Sequence, residues 1–325
     1  MFIATKNIAA MPILQANSKP DPRSRKSFFS RAKQAIIDSD TQALDLLISQ
    51  DLSSAGAGGE PASNDYHRLL RIAVANDCLP CVKSLAPFCD LSALEQSGLT
   101  ILHRAAQLHR PDCFLHLEPL VNSEVVASCD FSLLMIAALS GSAEMTRLLA
   151  SPQEALRLST SRGFSALRLA IIGGAAPCFD ILLPLSDPSA MALFDDGRNC
   201  LMEAAAHGRQ GFVRRLLPLC DPNAPNRDGL NALMLACEAF APDCVEVLLP
   251  ASDPLARDLR GRSALQVAQQ ADIAKAADNA SGVCEPSEEA RALICALLSS
   301  WTEALSLTES IPLPTSSAAI GPARL

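Results

Sequence analysis

Twelve cysteines and five histidines are the residues of this 325-residue chain that could do nucleophilic, redox or metal chemistry. Cys78-Leu79-Pro80-Cys81 has the spacing of a redox dithiol or of half a zinc site. A zinc site needs a second ligand pair, and none stands at ligand spacing. A thioredoxin-like dithiol needs a strand leading into a helix, and none surrounds it. His67, His103, His109, His116 and His207 form no H-x-x-x-H or H-E-x-x-H set. The phosphate and nucleophile signatures G-x-x-x-x-G-K-[ST], G-x-G-x-x-G and G-x-S-x-G do not occur, and Gly173-Gly174 reads as a helix end rather than a phosphate loop. No catalytic residue, metal ligand or cofactor is therefore assigned.

Four of the cysteines share a place in a longer pattern. Cys81, Cys113, Cys178 and Cys244 each follow an Ala by eight residues. Stacked copies of that pattern would hold them about 10 Å apart, the packing distance of helices. Disulfides need Cα atoms within roughly 7 Å. The cysteines are therefore expected to be reduced thiols packed in a core, in a cytosolic type of compartment.

The elements that carry them recur. Asp195 to Pro254 holds the two clearest copies, which match at Gly197 and Gly229, at Asn199 and Asn231, through L-M-x-x-A, and at V-x-x-L-L-P. Across the chain the small central residue is Ala73, Ala105, Ala137, Ala170, Ala204, Ala236 and Ala268, spaced 32, 32, 33, 34, 32 and 32 residues apart. A Leu stands three positions before each. Periods of this size mark repeat architectures.

Each copy also carries its own start and stop signals. Thr100, Ser132, Ser165, Asn199, Asn231 and Ser263 stand five residues before the Ala, where a side-chain oxygen can cap a short helix. Glycines just upstream, such as Gly197 and Gly229, suit a tight turn with positive φ. Pro80, Pro111, Pro177 and Pro242 fit the first turn of a second helix, and Pro184, Pro218 and Pro250 follow the Leu-Leu pairs that end it. The unit is turn, short helix, second helix, stop.

Gly98-Leu99-Thr100-Ile101-Leu102-His103-Arg104-Ala105-Ala106 resembles the G-x-T-P-L-H-x-A-A signature of ankyrin repeats. The chain is identified as a member of the ankyrin repeat family on this stretch and on the spacing over about residues 28–300. It departs from the family in two ways. Ile101, Leu133, Ala166, Cys200, Ala232 and Ala264 replace the Pro after the cap, and S-D-P or C-D-P turns replace G-A-D. The resemblance implies an all-α solenoid of stacked helix-turn-helix units with short turn fingers. It also implies that His103 hydrogen-bonds turn backbone.

The expected organisation is a disordered basic segment at 1–27, a repeat domain at 28–300 and a disordered tail at 301–325. The domain would hold about seven repeats and an N-terminal helical cap. Residues 1–35 carry seven basic residues against Asp21, a balance of +6, so the rest is at −14 within a total of −8. Ala271 to Glu285 interrupts the last repeat as an insertion. No apolar run approaches the roughly 18 residues of a membrane span. The N-terminus lacks the apolar core of a secretory signal. No basic stripe runs along the repeats, so nucleic acid is not an expected partner.

What the resemblance leaves is a non-enzymatic interaction module, a monomer that takes a protein partner on its concave groove. Positions matching the family's turn tips and first-helix faces are Arg162, Phe164, Asp196, Arg198, His207, Arg227, Leu230, Glu238, Arg260 and Arg262. Phe164 and Leu230 are expected to be exposed apolar anchors. Arg162, Arg198, Arg227 and Arg260 are expected to form a basic ladder for an acidic segment. A cytoplasmic adaptor is the first reading. The alternative is a bacterial-type effector secreted into a host cell, with residues 1–27 as export signal, and a third is a stabilising or inhibitory subunit of an enzyme.

Overall fold

Short helices of seven or eight residues cannot hold together in water, because nucleating a helix costs more than so few hydrogen bonds return. Their caps and their packing must hold them. In a computed structural model, which describes residues 22–54, 63–94, 98–122, 126, 129–157, 163–190, 197–272 and 287–309, both do. Asn199 Oδ1 accepts the Met202 N–H at 2.9 Å and Asn231 Oδ1 accepts the Met234 N–H at 2.9 Å. Ser132 and Ser165 cap in the same way. Ser263 donates its backbone N–H to Gln266 at 2.9 Å, in a capping box. Gly98, Gly163, Gly197, Gly229 and Gly261 all take positive φ, between 68° and 79°.

The chain divides into two compact units, residues 1–157 and 158–325, within the span that the sequence reads as one repeat domain. The first unit holds α1 (Pro22–Ile37), α2 (Thr41–Ser54), α3 (Ser63–Ala75), α4 (Leu79–Leu85), α5 (Ile101–Gln107), α6 (Pro111–Leu117), α7 (Leu133–Ser140), α8 (Ala143–Leu149) and α9 (Pro152–Ala155). The α1–α2 hairpin stands in for a repeat, with α1 against α3 and α2 against α4. First helices then pack on first helices (α3, α5, α7), while α4 packs on α6.

The second unit holds α10 (Ala166–Gly173), α11 (Ala176–Leu182), α12 (Cys200–Ala206), α13 (Gln210–Leu216), α14 (Ala232–Glu238), α15 (Pro242–Leu248), α16 (Ala264–Gln270) and α17 (Glu288–Glu309). Its first helices α10, α12, α14 and α16 stack in order, and α13 stacks on α15. The long α17 closes the unit against both α15 and α16. The periodic residues are what this stacking buries: Ala170, Ala204, Ala236, Leu167, Leu201 and Leu233 have no accessible surface. The described residues form helices and turns and no β-strand.

Several expectations need correction. Helix α1 starts at Pro22, ahead of the apolar pattern that begins at Phe28, because Pro is well placed at a first helical position. Helix α17 runs to Glu309, beyond the boundary at 301, through a stretch with neither Gly nor Pro before Pro312. The remaining parts of both terminal segments, residues 1–21 and 310–325, lie outside the described residues, as does 273–285 of the insertion. Of the Leu-Leu pair ahead of Pro218, both expected to be buried between repeats, Leu216 is fully buried but Leu217 is only half-buried. Cys113, Cys178 and Cys244 are buried thiols as expected, whereas Cys78 and Cys81 are joined by a disulfide. The turn ahead of α4 brings their Cα atoms to 5.3 Å, inside the bridging range.

Candidate partner-binding face

Three turn fingers of the second unit lie in a row, and the second and third are each built by one short polar side chain. In the middle finger Asn226 Oδ1 accepts the N–H groups of Asp228 and Leu230 at 3.0 and 2.8 Å, and the Asn226 N–H bonds the Leu230 carbonyl. In the next, Asp258 Oδ1 accepts the N–H groups of Arg260 and Arg262, while its Oδ2 accepts Arg262 Nε at 2.8 Å. Burial would raise the Asp258 carboxyl, but these donors and the Arg262 charge hold it below the ordinary value.

The fingers touch. The Leu259 N–H bonds the Asp228 carbonyl at 3.1 Å. A Cβ on Gly229 would stand 2.7 Å from that same Leu259 nitrogen, and one on Gly197 would meet the Arg227 Cγ at 3.0 Å. Glycine at these two positions thus permits both the positive φ and the close approach of the next finger.

This arrangement sorts the sequence-derived candidates. Arg198, Arg227 and Arg260 occupy the three successive fingers, with Arg227 and Arg260 exposed and Arg198 half-buried. Arg262 is bound by the buried Asp258 and serves the turn. Glu238 is half-buried at the end of α14. Arg162 and Asp196 lie outside the described residues. Phe164 and Leu230 are not the exposed anchors expected: they are 9% and 6% accessible. Phe164 lies under the Arg168 guanidinium, 4.6 Å from its ring centroid, and Leu230 is drawn inward by the Asn226 bonds. The most exposed large apolar residue among the described residues of the fingers is Leu259, at 78%. It was not among the candidates, because only its seat at a turn tip distinguishes it from a core leucine.

Sequence reasoning also missed a buried charged layer beneath the fingers. Arg168 on α10 and Glu203 on α12 are 3% and 5% accessible and pair at 2.9 Å. The other Glu203 oxygen meets His207 Nε2 at 3.2 Å. Burial alone would push the Glu203 carboxyl up, but His207, Arg168 and Arg198 together hold it down at about 2. The one available signal was two charges inside the apolar runs A-L-R-L-A and C-L-M-E-A-A.

Cys200 belongs to the same layer, and burial pushes its thiol up to about 12, so it stays protonated. His103 behaves as its position implies: Nδ1 faces Thr100 and Nε2 meets the Phe131 carbonyl at 2.9 Å.

A family model described as ankyrin repeats, in three copies, matches residues 134–226 and 201–279. Among solved structures the chain is similar to the human ASB11 ankyrin repeat domain. The TM-score is 0.51 at 20% identity, with 64% of this chain and 95% of that chain covered. No curated protein matches the chain. The capped helix pairs, the stacked first helices and this match lead to one assignment: residues 134–279 are ankyrin repeats, and the chain has the ankyrin fold.

Proposed function

We propose that this protein is a non-enzymatic adaptor that grips an acidic, partly apolar segment of a protein partner along the fingers of its second unit. Ankyrin repeats are protein–protein interaction modules and in general do not catalyse. The observation that carries the finer reading is the row of touching fingers with Arg198, Arg227 and Arg260, and with Leu259 standing out at its end. Arginine anchors are enriched where interfaces concentrate their binding energy. Opposite charge would raise the association rate more than the lifetime, and salt would weaken it. No helix of the described residues is long and apolar enough to cross a membrane.

Arg198 helps hold Glu203, so the test uses the two exposed arginines. The immobilised chain is panned against a random peptide display library, alongside the double variant Arg227→Glu, Arg260→Glu. Acidic peptides with an apolar residue should be enriched by the parent and lost by the variant, with helical content and unfolding midpoint unchanged. Enrichment of neutral or basic peptides, or full retention by the double variant, would overturn the reading.

A further inference from the structure

We infer that Cys78 and Cys81 form a thiol–disulfide exchange site, which cycles with a low-molecular-weight thiol and its disulfide of the glutathione class. Two observations separate this pair from the other cysteines. The place of Cys81 in the repeat is filled by Cys113, Met145, Cys178, Phe212 and Cys244 in later copies, all buried, so a single thiol there suffices for packing. The place of Cys78 is filled by Arg110, Ser142, Ala175, Arg209 and Ala241. Only the first copy therefore sets a second sulfur opposite, with Cα atoms 5.3 Å apart.

The bond is a poor staple. It closes a ring of four residues, and a cross-link constrains the unfolded chain less the shorter the loop it closes. Its place in the fold suits a reversible role better. Asp77, held at φ 58°, directly precedes Cys78 and pairs with Arg110 of the next repeat at 3.3 Å. Arg110 also donates to the Ala75 carbonyl at 3.2 Å, and the Cys113 thiol lies 3.8 Å from Asp77. The turn that carries Cys78 is thus the turn on which the second repeat is fastened.

Cys78 is 5% accessible and Cys81 has no accessible surface, so Cys78 is the sulfur that meets a reagent. Its thiolate attacks the small disulfide, forming a mixed disulfide and releasing one small thiol. The Cys81 thiolate then attacks the Cys78 sulfur, closing the internal bond and releasing the second small thiol. The protons of the two cysteines end on the two released thiols, and two electrons reduce the small disulfide. Reduction runs the same steps backwards. Closing the bond ties the turn to α4 and tightens the Asp77–Arg110 contact.

The test equilibrates the folded, full-length chain in buffers of graded reduced-to-oxidised glutathione ratio, then quenches with acid and blocks free thiols with N-ethylmaleimide. The tryptic peptide Ile72–Lys83 contains both cysteines. Its form lacking two hydrogens and two labels should rise as that ratio falls and vanish with dithiothreitol, while peptides holding Cys113, Cys178 and Cys244 stay labelled. In Cys81→Ser the second step is blocked, so glutathione should accumulate on Cys78 at least tenfold over the parent. Amide exchange at 76–82 and 108–113 should slow in the oxidised form. The inference fails if the peptide carries two labels at every ratio. It also fails if the bond resists excess dithiothreitol in the folded chain, or if all four positions oxidise together.

Discussion

His103 in the first unit and Arg168 in the second occupy the same place in the repeat, one residue after the conserved-spacing Leu, and they solve the same problem differently. Each is buried and must reach from its own first helix to the next copy. His103 does so as a neutral ring, bonding the Phe131 carbonyl 28 residues on. Arg168 does so as a charge, bonding Glu203 35 residues on. Elsewhere the place holds Arg71, Gln266 and three methionines, Met135, Met202 and Met234, and the methionines need no polar partner. Neutral hydrogen bonding leaves little charge to desolvate, whereas the ion pair must recover two desolvation costs through geometry.

The sharpest way to break this comparison is to remove one side of each link. Glu203→Ala strands a buried guanidinium and should destabilise the second unit by about 3–5 kcal/mol. Arg168→Met with Glu203→Leu, which copies Met234 and Leu235 of a later repeat, should be neutral or stabilising by up to roughly 4 kcal/mol. Trp301, the sole tryptophan, lies on α17 and reports this unit in urea titrations followed by fluorescence. If the double variant fell as far as the single one, the pair would be a net stabiliser and the contrast with His103 would vanish.

Packing should not distinguish the units. Leu117 on α6 and Leu216 on α13 are both fully buried at the end of a second helix. Leu117→Ala and Leu216→Ala should each cost roughly 2–5 kcal/mol, read from circular dichroism in urea. A large disparity would mean that the difference between units extends beyond the first-helix layer. His103→Ala should cost less, about 1–3 kcal/mol, since it leaves the Phe131 carbonyl unsatisfied without stranding a charge.

Acid separates the two links. Burial lowers the His103 pKa from its ordinary 6.5, with the Phe131 bond opposing. The unfolded chain therefore binds the proton first, and the contribution of this site, full above 6.5, falls as pH drops below it. Glu203 is held at about 2 against an ordinary 4.5. Its contribution is full above 4.5 and is lost as pH falls from there through about 2. Between pH 6.5 and 5 the parent should lose stability that His103→Gln does not lose, while Glu203→Gln should behave as the parent does. A parent and His103→Gln with parallel profiles in that window would remove His103 as the cause.

These contrasts also mark what the sequence could reveal. Ala, Leu, cap and Gly positions were legible because each is a local requirement repeated at a fixed spacing: a small residue at a helix crossing, an acceptor at a helix start, a left-handed turn. Pairings were not legible. Arg168 and Glu203 stand at adjacent but non-equivalent places in their repeats, so periodicity flags neither as the other's partner. Phe164 and Leu230 occupy turn positions that look exposed until the Arg168 stack and the Asn226 bonds cover them. Leu259 has the same residue type and the opposite fate, since it stands out at the tip of its finger. Cys78 and Cys81 were legible as a spacing, and only the turn at Asp77 decides that the two sulfurs meet.

The smallest effect concerns the caps, where Asn199 and Thr100 differ. Asn199 accepts the Met202 N–H alone, a bond independent of the chain ahead of it. Thr100 shares its hydroxyl and its backbone N–H with His103 Nδ1, so its cap and the link to Phe131 are one network. Asn199→Ala should cost about 1 kcal/mol, and Asn199→Ser almost nothing. Thr100→Ala should cost a similar amount alone, yet combined with His103→Ala the total should fall short of the sum, because each change removes part of the same network. Asn199→Ala combined with Leu117→Ala should add fully, as the two residues share no partner. If urea melts ranked Asn199→Ala above Leu216→Ala, the helix faces assigned here to core and cap would have to be exchanged.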